Sequence, residues 1–205
     1  MRVKGLLKIA APAVAVLIAG CTTGTDGDDG AAKTLTWALD KADELADAWN
    51  PDHKLTAIVG MWVDEQGVLD EPADHPVWGL FYTSDDNSEG YGVLVHDDGH
   101  TDSGEGPPPE VTVELGDYST EDAEDWMRAA IDEMENNPDP LDAYDYSVLV
   151  RYEAWHDGDV AFVYFFEESE KDTDYDVGSW DADEYFDDYY ALVILDAETD
   201  LVIDW

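Results

Sequence analysis

The chain has 205 residues, 44% of them apolar and 12% aromatic, with eight Trp and eleven Tyr. It carries 51 Asp+Glu against nine Lys+Arg, a formal balance of −42. The apolar and aromatic content excludes an acidic disordered chain. The scarcity of basic groups excludes a phosphate-binding face for nucleic acid, and the single cysteine excludes an internal disulfide.

Residues 1–20 read as an export signal. Arg2, Lys4 and Lys8 precede an 11-residue apolar run, Ile9 to Ala19. That is the length of a signal core, whereas a membrane-spanning helix needs ~20 apolar residues. The run closes Leu17-Ile18-Ala19-Gly20-Cys21, which resembles the lipobox of exported lipoproteins. The resemblance implies cleavage before Cys21, lipid attachment to its sulfur, and anchoring on the outer face of the cytoplasmic membrane.

Three of the nine basic residues and none of the acidic ones lie in 1–20, so the mature chain balances at −45. Such charge strains a compact state by self-repulsion. It is tolerable in molar salt, where the Debye length falls to ~3 Å. The acids are spread from Asp26 to Asp204, as in a solvated surface, and this pattern resembles that of proteins from high-salt organisms.

Residues 21–33 have few apolar groups and read as a flexible tether reaching at most ~40 Å. Leu35, Leu39, Ala42, Ala46 and Trp49 then recur at helical spacing. Thr34 or Thr36 caps the start, and Asn50-Pro51-Asp52 stops the helix. Strands are predicted at Leu55 to Val63, Val77 to Thr83 and Tyr91 to His96. A short fourth is predicted at Val111 to Leu115, after a Gly- and Pro-rich link.

The same order recurs from Ser119. A helix with Asp122 in a capping-box position buries Ala123, Trp126, Met127, Ala130, Ile131 and Met134. Asn137-Pro138-Asp139 closes it. Strands follow at Tyr146 to Trp155, Val160 to Phe166, Tyr189 to Leu195 and Leu201 to Trp205. The expected fold is therefore α+β, with two tandem units at 34–117 and 118–205. Each lays one helix on an antiparallel sheet of three to four strands.

The stretch Tyr190-Ala191-Leu192-Val193-Ile194-Leu195-Asp196-Ala197-Glu198-Thr199-Asp200-Leu201-Val202 resembles the strand–turn–strand motif of the PepSY domain family. Asp200 stands where that pattern prefers glycine. Val93 to Gly99 is a looser copy. The resemblance implies a PepSY/cystatin-like, non-catalytic module that binds or restrains peptidases or senses an extracellular ligand. It transfers no catalytic residue and no cofactor.

Tests for chemistry return little. His96 and His100 are four apart, but Asp97-Asp98-Gly99 between them reads as a turn, and two histidines are an incomplete zinc site. Asp172, Asp174 and Asp176 begin like a calcium loop, yet Val177 and Asp183 stand where Gly and Glu are required, which leaves only a weak cation site. No nucleophile elbow, zincin motif or phosphate loop is present. An acidic loop before the last hairpin inserts Tyr175, Trp180, Tyr185 and Phe186, which either anchor a partner or fold back over the sheet. The expectation is a cell-surface lipoprotein that works by binding a surface or secreted protein. The alternatives are a cation-dependent surface hydrolase using carboxylates and a small solute- or cation-binding lipoprotein.

Overall fold

The computed structural model describes residues 32–69, 76–108, 114–136, 146–155, 158–167 and 191–204. The protein is α+β. Helix α1 (Leu35–Trp49) leads to strands β1 (Lys54–Met61), β2 (Val77–Thr83), β3 (Gly90–His96) and β4 (Thr101–Gly106). Helix α2 (Thr120–Asn136) leads to β5 (Tyr146–Trp155), β6 (Gly158–Glu167), β7 (Ala191–Asp196) and β8 (Val202–Asp204). One helix and four strands thus occur twice in the same order.

All eight strands form one antiparallel sheet in the order β4-β3-β2-β1-β5-β6-β7-β8. The halves meet where β1 pairs with β5, from Ala57 opposite Glu153 to Met61 opposite Leu149. The first strand of each half is therefore central, and the last is an outer edge. A row of paired positions crosses the whole sheet on one face: Val93, Leu80, Ile58, Tyr152, Ala161, Leu195 and Val202. Both helices pack on that face, since they share one buried cluster with Ile58, Leu80, Val93, Ala161 and Leu195.

The helices reach the sheet by different means. Helix α1 presents Ala38, Ala42 and Ala46 in an i, i+4, i+8 stripe, all fully buried, so its backbone lies close to Trp78, Leu80 and Tyr82. Helix α2 packs the larger Trp126, Met127 and Met134 beside Ala123 and Ala130. Thr34 is the N-cap of α1, its hydroxyl accepting from the Trp37 amide at 3.2 Å. At α2 the Asp122 carboxylate accepts from the Ser119 amide at 2.7 Å, the expected half of a capping box. The two helix starts also cap each other. The Thr120 amide donates to Thr36 Oγ1 at 3.0 Å, and the Thr36 amide to Thr120 Oγ1 at 3.3 Å.

The fourth strand departs from expectation. It is Thr101–Gly106, inside the segment read as a link. Glu114 and Leu115 form no strand, and 109–113 lie outside the described residues. The Leu115 amide instead donates to the Leu55 carbonyl at 2.8 Å. Thr-Asp-Ser-Gly-Glu-Gly has no large apolar side chain, so periodicity does not reveal it. The Asp97–Gly99 turn, with Gly99 at φ +81°, nevertheless brings it onto β3 from Val95–Thr101 to Gly90–Gly106.

The second face of the central strands is buried as well. Val59, Met61, Val77, Phe81, Leu94, Phe162 and Tyr164 all point away from the helices and are shielded from solvent. Shielding fades towards β8, where Ile194 is half-buried and Leu201 and Ile203 are 67% and 58% exposed.

Candidate functional site

The residues singled out for lipid attachment (Cys21), partner binding (Tyr175, Trp180, Tyr185, Phe186) and cation binding (Asp172, Asp174, Asp176) lie outside the described residues. Among the described residues no helix is long and apolar enough to cross a membrane, and no three His, Cys, Asp or Glu side chains are grouped to hold a metal ion.

The hairpin register does bring together a polar cluster. Val95 pairs with Thr101 and Leu94 with Asp102, so His96, His100 and Asp102 share the face opposite the helices. His96 Nε2 lies 3.1 Å from Asp102 Oδ2, and His100 Nε2 lies 3.3 Å from Asp102 Oδ1. The two rings stack with centroids 5.7 Å apart. One carboxylate therefore accepts from both imidazoles. These are hydrogen-bond lengths. The cluster fastens β4 to β3. Asp102 escaped the sequence reading because its relation to the histidines depends on the register of a strand without apolar residues.

A second cluster lies between α1 and the sheet. The Tyr82 hydroxyl donates to Asp43 Oδ1 at 3.0 Å. Burial, then the Asp43 charge, pushes the phenol well above its usual range and keeps it a neutral donor. The His53 ring stands edge-on to Tyr82 at 4.9 Å, with Nδ1 2.8 Å from the Asn50 carbonyl. Trp49 stacks on Tyr91 at 5.0 Å. These contacts lock the C-terminal end of α1 onto β2 and β3.

A third group joins the halves. Asp159 Oδ2 accepts from the Gly116 amide at 3.0 Å and from the Tyr118 hydroxyl at 2.6 Å, and Tyr118 meets Trp126 edge-on. Trp126 Nε1 donates to the Ala197 carbonyl at 3.1 Å, and the Ala197 amide to the Asp159 carbonyl at 3.0 Å. The β7–β8 turn is thus held from below. Inside it, Asp196 Oδ1 accepts from the Thr199 hydroxyl and amide and from the Glu198 amide. The Thr199 hydroxyl is the main reason this carboxyl is held below its usual range.

Asp200, the next residue, sits at φ +56°, the left-handed geometry for which glycine is best suited. Its carboxyl is pushed up, first by burial and then by the charges of Asp125, Asp122 and Asp196. The turn therefore gathers negative charge from two elements beside the exposed Leu201 and Ile203.

The opposite edge of the sheet is different. Strand β4 carries only Thr, Ser, Gly, Asp and Glu, and Pro107 and Pro108 follow it. An edge of that composition resists pairing with another strand. Among the described residues the arrangement offers hydrogen-bonded carboxylates, a buried phenol and two exposed apolar side chains, Leu201 and Ile203. Searches against protein-family models, curated proteins and solved structures match nothing.

Proposed function

We propose that the chain is an exported, lipid-anchored surface protein of a high-salt organism. Its two helix-on-sheet units, of PepSY-like kind, bind a surface or secreted protein without catalysis, a peptidase being the partner that the resemblance implies. The observation that carries this reading is the repetition of one helix followed by four antiparallel strands, in the order on which the resemblance rests. It is supported by the left-handed Asp200 at the glycine position of the motif. It is supported too by the position of α1, which starts at Leu35, so that a lipid on Cys21 would hold that helix within ~50 Å of the membrane.

Two measurements test it in the source cells. Cys21→Ala should release the protein from the membrane fraction; retention of the variant there would remove the anchoring half. Pull-down with the full chain in molar KCl, from solubilised membranes and secreted proteins, should enrich a partner whose activity changes on binding. Turnover of a substrate by the purified chain alone would replace the binding reading with an enzymatic one.

A further inference from the structure

We propose that the sheet face opposite the helices is the seat of the chain's own segment 168–190, whose aromatic side chains pack on it as a third layer. The proposal goes beyond the binding reading and does not depend on it.

The face is apolar and closed to solvent. Val59, Met61, Phe81 and Leu94 of the first half and Phe162 and Tyr164 of the second are each between 1% and 6% exposed. The helices and strands of the described residues do not account for this. The eight strands are the sheet itself, and both helices lie on its other side. The layer that covers the face therefore comes from chain outside the described residues.

Length and position select 168–190. Strands β6 and β7 are neighbours, paired up to Phe165 opposite Ala191, and a turn of ~2–5 residues would join them. The chain has 23 residues there instead. A connection that leaves and returns at one place reaches at most half its contour, ~40 Å. From β6 to β3 is four strand spacings, ~19 Å, so the whole face is within reach. The segment also starts beside the right residues. Strand β6 ends at Glu167, three positions after Tyr164, whose ring stacks on Phe162 at 6.5 Å.

Other stretches fit less well. The internal segments 70–75, 109–113, 137–145 and 156–157 hold nine residues or fewer. The N-terminal stretch arrives on the wrong side, because the Lys33 carbonyl accepts from Trp78 Nε1 and Trp78 packs with the helices. Composition agrees with the choice. Segment 168–190 holds six aromatic residues, among them Tyr175, Trp180, Tyr185 and Phe186, and ten acids. Each aromatic buries ~150–250 Å² when packed. Turning the aromatics to the sheet leaves the acids to solvent, where molar salt screens them. The same aromatics are then not free to anchor a partner.

The test replaces Trp180 with the photo-cross-linker p-benzoylphenylalanine in the full chain. The sample is irradiated in detergent at about 2 M KCl, and cross-links are mapped by mass spectrometry. We expect intramolecular cross-links to peptides carrying Met61, Phe81 or Phe162. The same group at the exposed Glu44 of α1, on the other side of the sheet, should give none to them. The triple variant Trp180→Ala, Tyr185→Ala, Phe186→Ala should raise the fluorescence of bound anilinonaphthalene sulfonate roughly severalfold and unfold at lower urea. No cross-link from position 180 to the sheet would overturn the proposal, and this result decides even where the triple variant does not fold. A folded triple variant that matches the parent in dye binding and in urea midpoint would overturn it too. Cross-links that run to another protein of a source-cell extract and not to the sheet would give the aromatics to a partner, which removes the third layer and keeps the binding reading.

Discussion

Gly60 is the point where added volume should cost most. A Cβ there would lie 2.5 Å from Trp78 Cζ3, 2.9 Å from its Cη2 and 2.5 Å from Val63 Cγ2. Carbon atoms rest at ~3.5–4.0 Å, so the indole must retreat by about 1 Å. Trp78 is fully buried, and its Nε1 donates at 3.0 Å to the Lys33 carbonyl just before α1. Overpacking of this kind costs ~1–3 kcal/mol. Loosening the indole bond adds ~0.5–1.5 kcal/mol. The reduced freedom of the unfolded chain returns ~0.4–1 kcal/mol. Gly60→Ala should therefore destabilise by about 2 kcal/mol, or ~4–8 °C in Tm. Urea denaturation followed by tryptophan fluorescence in about 2 M KCl is the assay, since guanidinium is itself a salt and would alter the screening. Gly79→Ala is the control. Its Cβ would meet Phe81 and Leu94 at 3.2 and 3.3 Å, a contact relieved by a few tenths of an ångström, so the expected change is within ~1 kcal/mol. Gly60→Ala as stable as Gly79→Ala would refute the claim that the missing Cβ makes room for Trp78.

Salt should matter to the whole body: lowering KCl from molar to about 0.1 M lengthens the Debye length from ~3 to ~10 Å and should cost native circular dichroism. A native spectrum at low salt would remove the high-salt reading. Asp159→Ala leaves the Gly116 amide and the Tyr118 hydroxyl without their acceptor and should cost about 1–3 kcal/mol in urea denaturation, with the loss appearing first as weakened hydrogen-exchange protection at 114–119. Asp200→Gly should stabilise by about 1 kcal/mol by relieving the left-handed backbone alone. Its pH dependence has a defined sign. The folded Asp200 carboxyl is raised, so the native state binds the proton more tightly than the unfolded chain, and stability falls as pH rises through that window. The advantage of the glycine variant over the parent should thus grow from pH 3 towards neutrality, and a constant difference would show that the neighbouring carboxylates play no part.

What was legible in the chain follows where side chains carry the signal. Val77–Thr83 and Tyr146–Trp155 are strands with the expected limits because β-branched and aromatic residues recur along each. Thr34 and Asp122 cap as expected because capping chemistry is local. Strand β4 was missed because an edge strand needs only its backbone, and Thr-Asp-Ser-Gly-Glu-Gly has little else to offer. The pairing of β1 with β5 was equally hidden, since nothing in Ala57–Met61 specifies which distant apolar strand will lie beside it. Asp102 was lost with β4, and with it the third member of the histidine cluster.

The repetition has a consequence that neither half shows alone. Joining the halves through their first strands gives both copies of that strand a neighbour on each side and leaves both copies of the last strand outside. Each half therefore presents one edge that packing does not constrain. In the first half that edge is polar, fastened by His96, His100 and Asp102 and closed by proline. In the second half the equivalent turn exchanges Gly99 for Asp200 as its left-handed residue, and Leu201, just before β8, and Ile203, within it, are exposed. Central strands that bury both faces tolerate little change, whereas the two edges, both acidic, differ in exposed apolar area and in the proline that follows β4.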